Sequence, residues 1–278
     1  MSIAGGYYKA VEAAAAFGMD VVQVFTKNNT QWRAKAIGEQ DVALFAGALR
    51  NGKIRHPISH ASYLINLASP NPVLREKSIA AMVVELERAE MLGIPHVVVH
   101  PGAHTTVSQE EGISLVAGSI DEIHRRVARC KALITLELTA GQGTCLGCSL
   151  AQLAQIVSQV KWSERVGICV DTCHAFAAGT DLRDRKAFLA FWREFDDRLG
   201  PDSLKAIHLN DSKRELGSRV DRHEHIGHGK IGLEAFRHIL KDKRLKRVPM
   251  YLETPKGDHN GEAWDAVNLR TLRELARS

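Results

Sequence analysis

Val166-Gly167-Ile168-Cys169-Val170-Asp171 is a short apolar run of β-forming residues that ends in a carboxylate. Its reading decides the fold because the pattern recurs. Ile58-Ser59 runs into His60, Val97-Val98-Val99 into His100, and Ile134-Thr135-Leu136 into Glu137. Lys205-Ala206-Ile207 runs into His208, and Met250-Tyr251-Leu252 into Glu253. Six β-like runs therefore end in side chains able to bind a metal, of types that suit zinc or another divalent transition ion. In a closed parallel barrel all C-terminal strand ends reach one face, where catalytic residues sit.

Amphipathic helical stretches separate these runs. Asn71-Pro72 has the form of an N-cap and first helical position; Ile79, Met82, Val83 and Leu86 follow at helical spacing, and Gly93 is a stop. Ser108 and Glu111 form a capping-box pattern, behind which Ile113, Val116, Ile120, Ile123 and Val127 make one apolar face. Further helices are expected near Tyr8–Phe17, Asp41–Leu49, Leu150–Val160, Asp184–Leu199, Leu233–Lys241 and Ala263–Arg277. Repeated β-then-α means a parallel sheet, open or closed. Counting Val21–Phe25 as the first strand and Pro249–Glu253 as the last gives seven strands, not eight. A closed (β/α)8 barrel needs one more strand before Met1. Either the N-terminus folds differently or the chain starts late. No Pro/Gly/Ser-rich linker divides the sequence, so residues 1–278 are read as one domain.

Composition narrows the class. A chain of 278 residues with 25% charged and 45% hydrophobic residues is ordinary for a soluble protein. No uncharged apolar stretch approaches the ~20 residues needed to cross a bilayer, and no basic-then-apolar leader opens the chain. A cytoplasmic protein is expected. The formal charge of +5 favours a polyanionic partner mildly. Five cysteines, an odd number, point to reduced thiols. Cys145-Leu146-Gly147-Cys148 is a lone C-x-x-C with no second pair at zinc-site spacing, and is read as two loop or packing cysteines. The Lys241–Arg247 run precedes a strand N-terminus and is read as solvated surface away from the site.

Three more candidate ligands stand close to the strand ends: His174, three residues after Asp171, and the Asp221-Arg222-His223 pair. Singly each is weak. A histidine at a strand end is more often hydrogen-bonded or exposed than metal-bound. Convergence changes the weighing, because so many ionisable groups in one place without cations would repel and desolvate one another.

Six longer motifs carry a resemblance: Ser59-His60-Ala61-Ser62-Tyr63-Leu64-Ile65-Asn66, Glu137-Leu138-Thr139-Ala140-Gly141-Gln142-Gly143, Asp171-Thr172-Cys173-His174-Ala175-Phe176, His208-Leu209-Asn210-Asp211-Ser212-Lys213, Asp221-Arg222-His223 and Leu252-Glu253-Thr254-Pro255. Together they resemble the endonuclease IV family of apurinic/apyrimidinic (AP) endonucleases over nearly the whole chain. The resemblance implies an α/β fold of the TIM (β/α)8 barrel type, its first strand missing from the chain as given, and three zinc ions. His60, His100 and Glu137 would hold the first ion. Glu137 would bridge to a second, also held by Asp171, His208 and Glu253. His174, Asp221 and His223 would hold the third. Mn²⁺ or another divalent ion is an alternative at one site. Glu137 would activate the attacking hydroxide, and bridged metals lie ~3.5–4 Å apart.

The implied substrate is double-stranded DNA with abasic sites or blocked 3′ ends, cut 5′ to the lesion to leave a 3′-OH by a monomer with no membrane partner. Tyr63 and Leu64 would enter the stack at the missing base, against the plainer reading of ordinary packing under a loop. Lys27, Arg33, Lys213 and Arg222 are candidate phosphate contacts, each otherwise a solvated charge. Two departures from the family pattern stand out: His228 where Glu is usual, and Thr30 where some members place a basic residue. Two rivals remain. One is a single-metal sugar isomerase or epimerase of the xylose-isomerase-like type, which has no use for the extra histidines and the Asp221/His223 pair. The other is a metal-free module that binds damaged DNA, against which the intact ligand set argues.

Overall fold

The computed structural model describes residues 1–278. Its elements run α1 (Tyr7–Ala16), β1 (Val21–Val24), α2 (Glu39–Asn51), β2 (His56–His60), α3 (Pro72–Leu92), β3 (His96–Val99), α4 (Gln109–Arg126), β4 (Leu133–Glu137), α5 (Leu150–Gln159) and β5 (Val166–Asp171). There follow α6 (Thr172–Ala177), α7 (Arg185–Leu199), β6 (Leu204–His208), β7 (Asp211–Ser212), β8 (His223–Glu224), α8 (Gly232–Lys241), β9 (Met250–Tyr251), β10 (Asp258–His259), β11 (Glu262–Ala263) and α9 (Trp264–Arg277). A helix, not a strand, comes first. Two compact units result: Met1–Glu137 with Gln155–Gly167, and Leu138–Ala154 with Ile168–Ser278.

In the first unit β1, β2, β3 and β4 pair parallel in chain order. Each strand returns to the next through a helix, which is what parallel pairing requires. Val22, Val24, Ile58, Val97, Val98, Ile134 and Leu136 are buried, as expected where both faces of a parallel sheet are covered. The α4 face expected from spacing is the buried one: Ile113, Val116, Ile120, Ile123 and Val127 all face inward. Helix α3 begins where expected, because Asn71 Oδ1 accepts from the amides of Val73 (2.9 Å) and Leu74 (3.1 Å). It stops at Gly93, whose φ of 68° is left-handed and costs glycine little. Ser108 Oγ caps α4 through the amide of Glu111, 3.1 Å away.

In the second unit β5 pairs with β6 and β6 with β9, again parallel. Phe176, Phe188, Phe195 and Phe236 are fully buried around them. Two small antiparallel ladders, β7 with β8 and β10 with β11, lie outside the expected elements. So does α6. The last strand is shorter than the expected Pro249–Glu253. Its ladder ends at Tyr251, and the amide of Glu253 goes instead to the Asn210 side chain at 2.9 Å. The Lys241–Arg247 run is exposed at Lys241, Lys243, Arg244, Lys246 and Arg247, with Leu245 buried beneath it. No helix is long and apolar enough to cross a membrane.

One core histidine makes a testable contribution to stability. His124 on α4 is buried beside Trp162, ring centroids 6.4 Å apart. Burial, with the Arg165 charge nearby, holds its pKa down to about 4. Between pH 4 and the ordinary 6.5 the unfolded chain binds a proton that the folded chain refuses. Stability from this group is therefore full above pH 6.5 and falls as pH drops towards 4. A His124→Gln variant is expected to melt with a flatter acid limb across that window. An unchanged slope of melting temperature against pH would refute the assignment.

Candidate metal centre

In the first unit, β2, β3 and β4 deliver His60, His100 and Glu137 to one point. Their donor atoms all lie within 4.8 Å of one another. His60 Nε2 stands 3.2 Å and His100 Nε2 3.1 Å from the same Glu137 oxygen. Glu137 and His60 are buried, whereas the His100 side chain keeps 32% of its surface open. Neighbouring register contributes to the convergence: Val99 pairs with Leu136, so His100 and Glu137 follow at matching positions, while His60, paired with Val98, ends β2 two residues earlier.

In the second unit, three overlapping donor groups form. Asp171, His208 and Glu253 lie within 4.8 Å of one another, as do Asp171, His174 and His223, and also Cys173, Asp221 and His223. His208 Nδ1 is 3.2 Å from Glu253 Oε2 and 3.8 Å from Asp171 Oδ2. His174 Nε2 is 3.2 Å from Asp221 Oδ2. Cys173 is a donor the sequence reading passed over. Burial pushes its thiol up to about 12, so it holds its proton at neutral pH. Cys145 and Cys148 join no donor group.

The histidines are aimed by the main chain. His60 Nδ1 donates to the Ala61 carbonyl at 2.7 Å, His174 Nδ1 to that of Leu138 at 2.9 Å, and His223 Nδ1 to that of Glu253 at 3.2 Å. Each bond fixes the tautomer and leaves the Nε2 lone pair turned to the carboxylates, the arrangement metal-ligating histidines adopt. His223 Nε2 supplies the test of fit. It is buried, makes no hydrogen bond, and stands 3.3 Å from Asp221 and 3.6 Å from Asp171. A buried nitrogen ringed by carboxylates suits a cation placed between them. The donor set of imidazoles and carboxylates fits zinc.

Two residues that sequence reasoning missed organise the second unit's donors. Asn210 donates to Asp171 Oδ2 at 2.6 Å and accepts from the amide of Glu253, so it holds two carboxylates in register. Asp211 is fully buried and gathers the amides of Ser212 (2.8 Å), Ile231 (2.9 Å), Gly227 (3.0 Å), Gly229 (3.1 Å) and Gly232 (3.3 Å). It thereby closes the loop that carries Asp221 and His223. Gly229 must lack a side chain, since a Cβ there would meet Asp211 Oδ1 and the Ser212 carbonyl, both at 2.4 Å. Both residues lie inside the quoted His208–Lys213 motif, but nothing in the sequence marks a carboxylate that binds backbone.

The loop candidates divide. Tyr63 is 56% exposed, and its ring leans over His60 (5.1 Å) and His100 (6.0 Å). Leu64 is half-buried, while Arg33, Lys213 and Arg222 are exposed. Lys27 is a correction. It is not a surface cation: its ammonium is buried, 3.3 Å from Glu85 and bonded to the Gln31 carbonyl at 2.9 Å. Thr30 is tied to Asn28 Oδ1 at 2.8 Å. The exposed His228 ring stands edge-on to Trp264 at 5.1 Å.

Comparison with known proteins gives the family. Residues 11–275 match the family described as xylose isomerase-like TIM barrel. A "Probable endonuclease 4" of Chloroflexus aggregans is 47% identical over 277 residues, covering 100% of this chain and 96% of that protein. Another, from Oleidesulfovibrio alaskensis, is 49% identical over 276 residues, covering 99% and 93%. The crystal structure of endonuclease IV from Thermus thermophilus superposes with a TM-score of 0.87 at 36% identity, over 100% of this chain and 97% of that one. The fold class is thus the α/β TIM barrel that the family resemblance implied. The chain belongs to the endonuclease IV family within the xylose isomerase-like TIM barrels, and with it to the hydrolases of endonuclease type.

Proposed function

We propose that this chain is a zinc-dependent AP endonuclease, acting as a single domain and a monomer in the cytoplasm during base excision repair. Its substrate is duplex DNA, cut 5′ to an abasic site to leave a 3′-OH; blocked 3′ ends are trimmed by the same site. The observation that carries the reading is the surplus of donors. His174, Asp221 and His223 stand beside Asp171, and His60 with His100 beside Glu137. A one-metal sugar isomerase has no use for them.

His60, His100 and Glu137 would hold one ion, Asp171, His208 and Glu253 a second, and His174, Asp221 and His223 a third. Zinc held there would supply charge neutralisation at the phosphate, a bound water of lowered pKa and stabilisation of the departing oxygen. The protein's own part is to orient and exclude. Carbonyl-anchored imidazoles and Asn210 keep donors aimed, and the open edge of His100 leaves room for a phosphate. Tyr63 and Leu64 fill the gap at the missing base, while Arg33, Lys213 and Arg222 bind flanking phosphates.

A duplex carrying one tetrahydrofuran abasic analogue is expected to be nicked 5′ to the lesion. Metal analysis is expected to find close to three equivalents, largely zinc. Binding without nicking by fully metallated protein would sink the nuclease reading, and one Mn²⁺ or Mg²⁺ equivalent would favour the isomerase.

A further inference from the structure

Beneath the loop that carries Tyr63 lies a buried charge cluster that the site described above does not use. Glu85, on α3, is 1% exposed, Lys27 6%, Arg88 6% and Thr26 0%. Glu85 Oε1 accepts the amide of Ser62 at 3.2 Å and faces the Lys27 ammonium at 3.3 Å. Its Oε2 accepts Thr26 Oγ1 at 2.9 Å. Ser62 Oγ in turn donates to the Asn29 carbonyl at 2.7 Å. Arg88, one turn further on, bonds Thr26 Oγ1 at 3.2 Å, Tyr7 Oη at 2.7 Å and the Lys35 carbonyl at 2.7 Å.

One carboxylate thus joins α3 to two loops: residues 26–35 after β1 and residues 61–69 after β2. The second loop is pinned again at its far side, where Asn66 exchanges bonds of 3.0 Å with both the amide and the carbonyl of Ala103. Between these two anchors Tyr63 is left exposed. A residue meant to enter a nucleic-acid stack needs an open ring on a fixed backbone, whereas surface loops are ordinarily the more mobile parts of a fold.

We propose that Glu85 is a positioning residue for damage recognition: through the Ser62 amide it fixes the backbone that presents Tyr63, with Lys27 as its buried counter-charge. The role rests on the nuclease reading. It also explains why a lysine beside the candidate DNA-contacting residues turns inward.

Glu85→Gln alone would leave Lys27 buried without its counter-charge and endanger folding. The main variant is therefore the paired exchange Lys27→Met/Glu85→Leu, which removes both charges and the acceptor for Ser62. Glu85→Asp is the second, drawing the carboxylate back by one methylene with its charge kept. In either, kcat/KM on the abasic duplex is expected to fall about tenfold to a hundredfold. Hydrolysis of bis(4-nitrophenyl) phosphate, which needs no loop insertion, is expected to stay within about twofold. Adding Tyr63→Ala is expected to cost nothing further, since the two residues act as one unit.

Equal losses on both substrates, no loss on the duplex, or a full additional loss from Tyr63→Ala would each overturn the proposal. A wild-type protein that leaves abasic duplex intact would defeat the nuclease reading instead. Amide exchange over residues 61–64 then decides on Glu85: faster exchange in the variants upholds its role, and unchanged exchange ends it.

Discussion

Glu137→Gln is expected to leave a folded protein that no longer nicks abasic duplex. The substitution keeps shape and volume at a fully buried position. It removes the charge that faces two imidazoles at 3.2 and 3.1 Å and replaces one carboxylate oxygen by an amide, a poor zinc ligand. On the proposed reading, loss of the electrostatic stabilisation that bound ions would supply should lower kcat by about a thousandfold or more. Metal content should fall by at least one equivalent while the far-UV spectrum and melting cooperativity stay near wild type. Activity within about tenfold of wild type would remove Glu137 from the centre of the chemistry.

Asp211→Ala is expected to be the most damaging single change that touches no ligand. Five backbone amides converge on this carboxylate. Removing it strands several of them away from water, at about 1–3 kcal/mol for each that stays unsatisfied. Relaxation of the loop recovers part, so a net loss of about 4 kcal/mol is expected in urea unfolding. Asp221 and His223 lie in the released loop, so the variant should also bind one metal equivalent fewer, or bind it weakly. A loss under about 1 kcal/mol with full metal content would show that the loop closes without Asp211.

What can be read from sequence follows from how each feature gains its stability. The strands are legible because both of their faces are buried, so Val97-Val98-Val99 and Ile168-Cys169-Val170 are unbroken apolar runs. Helices α3 and α4 are legible through their caps and their inward faces. Helix α6 is not. Every residue from Thr172 to Ala177 is buried, so it has no polar face to set a period, and its N-cap is Asp171 itself. The donor residues are visible as chemical types at strand ends, and the fold gathers them into groups.

Other features stay hidden because their partners are remote in sequence or are main-chain atoms. Lys27 reads as a surface cation since its counter-charge, Glu85, belongs to a helix far along the chain. Asp211 bonds only backbone, for which no residue pattern exists. The Cys-x-x-C is given no metal role by its spacing, and neither sulfur joins a donor group.

The carbonyl anchors on His60, His174 and His223 bear on how the protein acquires its ions. Three imidazoles already face inward, held by atoms that no side-chain substitution can remove. Little rotamer freedom is then left to lose on loading, so uptake should be paced by stripping water from the incoming ion rather than by a search among side-chain conformations. A metal-stripped sample should consequently regain its activity in a single fast phase on adding zinc, with no slow refolding step, and the rate should follow the exchange lability of whichever ion is offered.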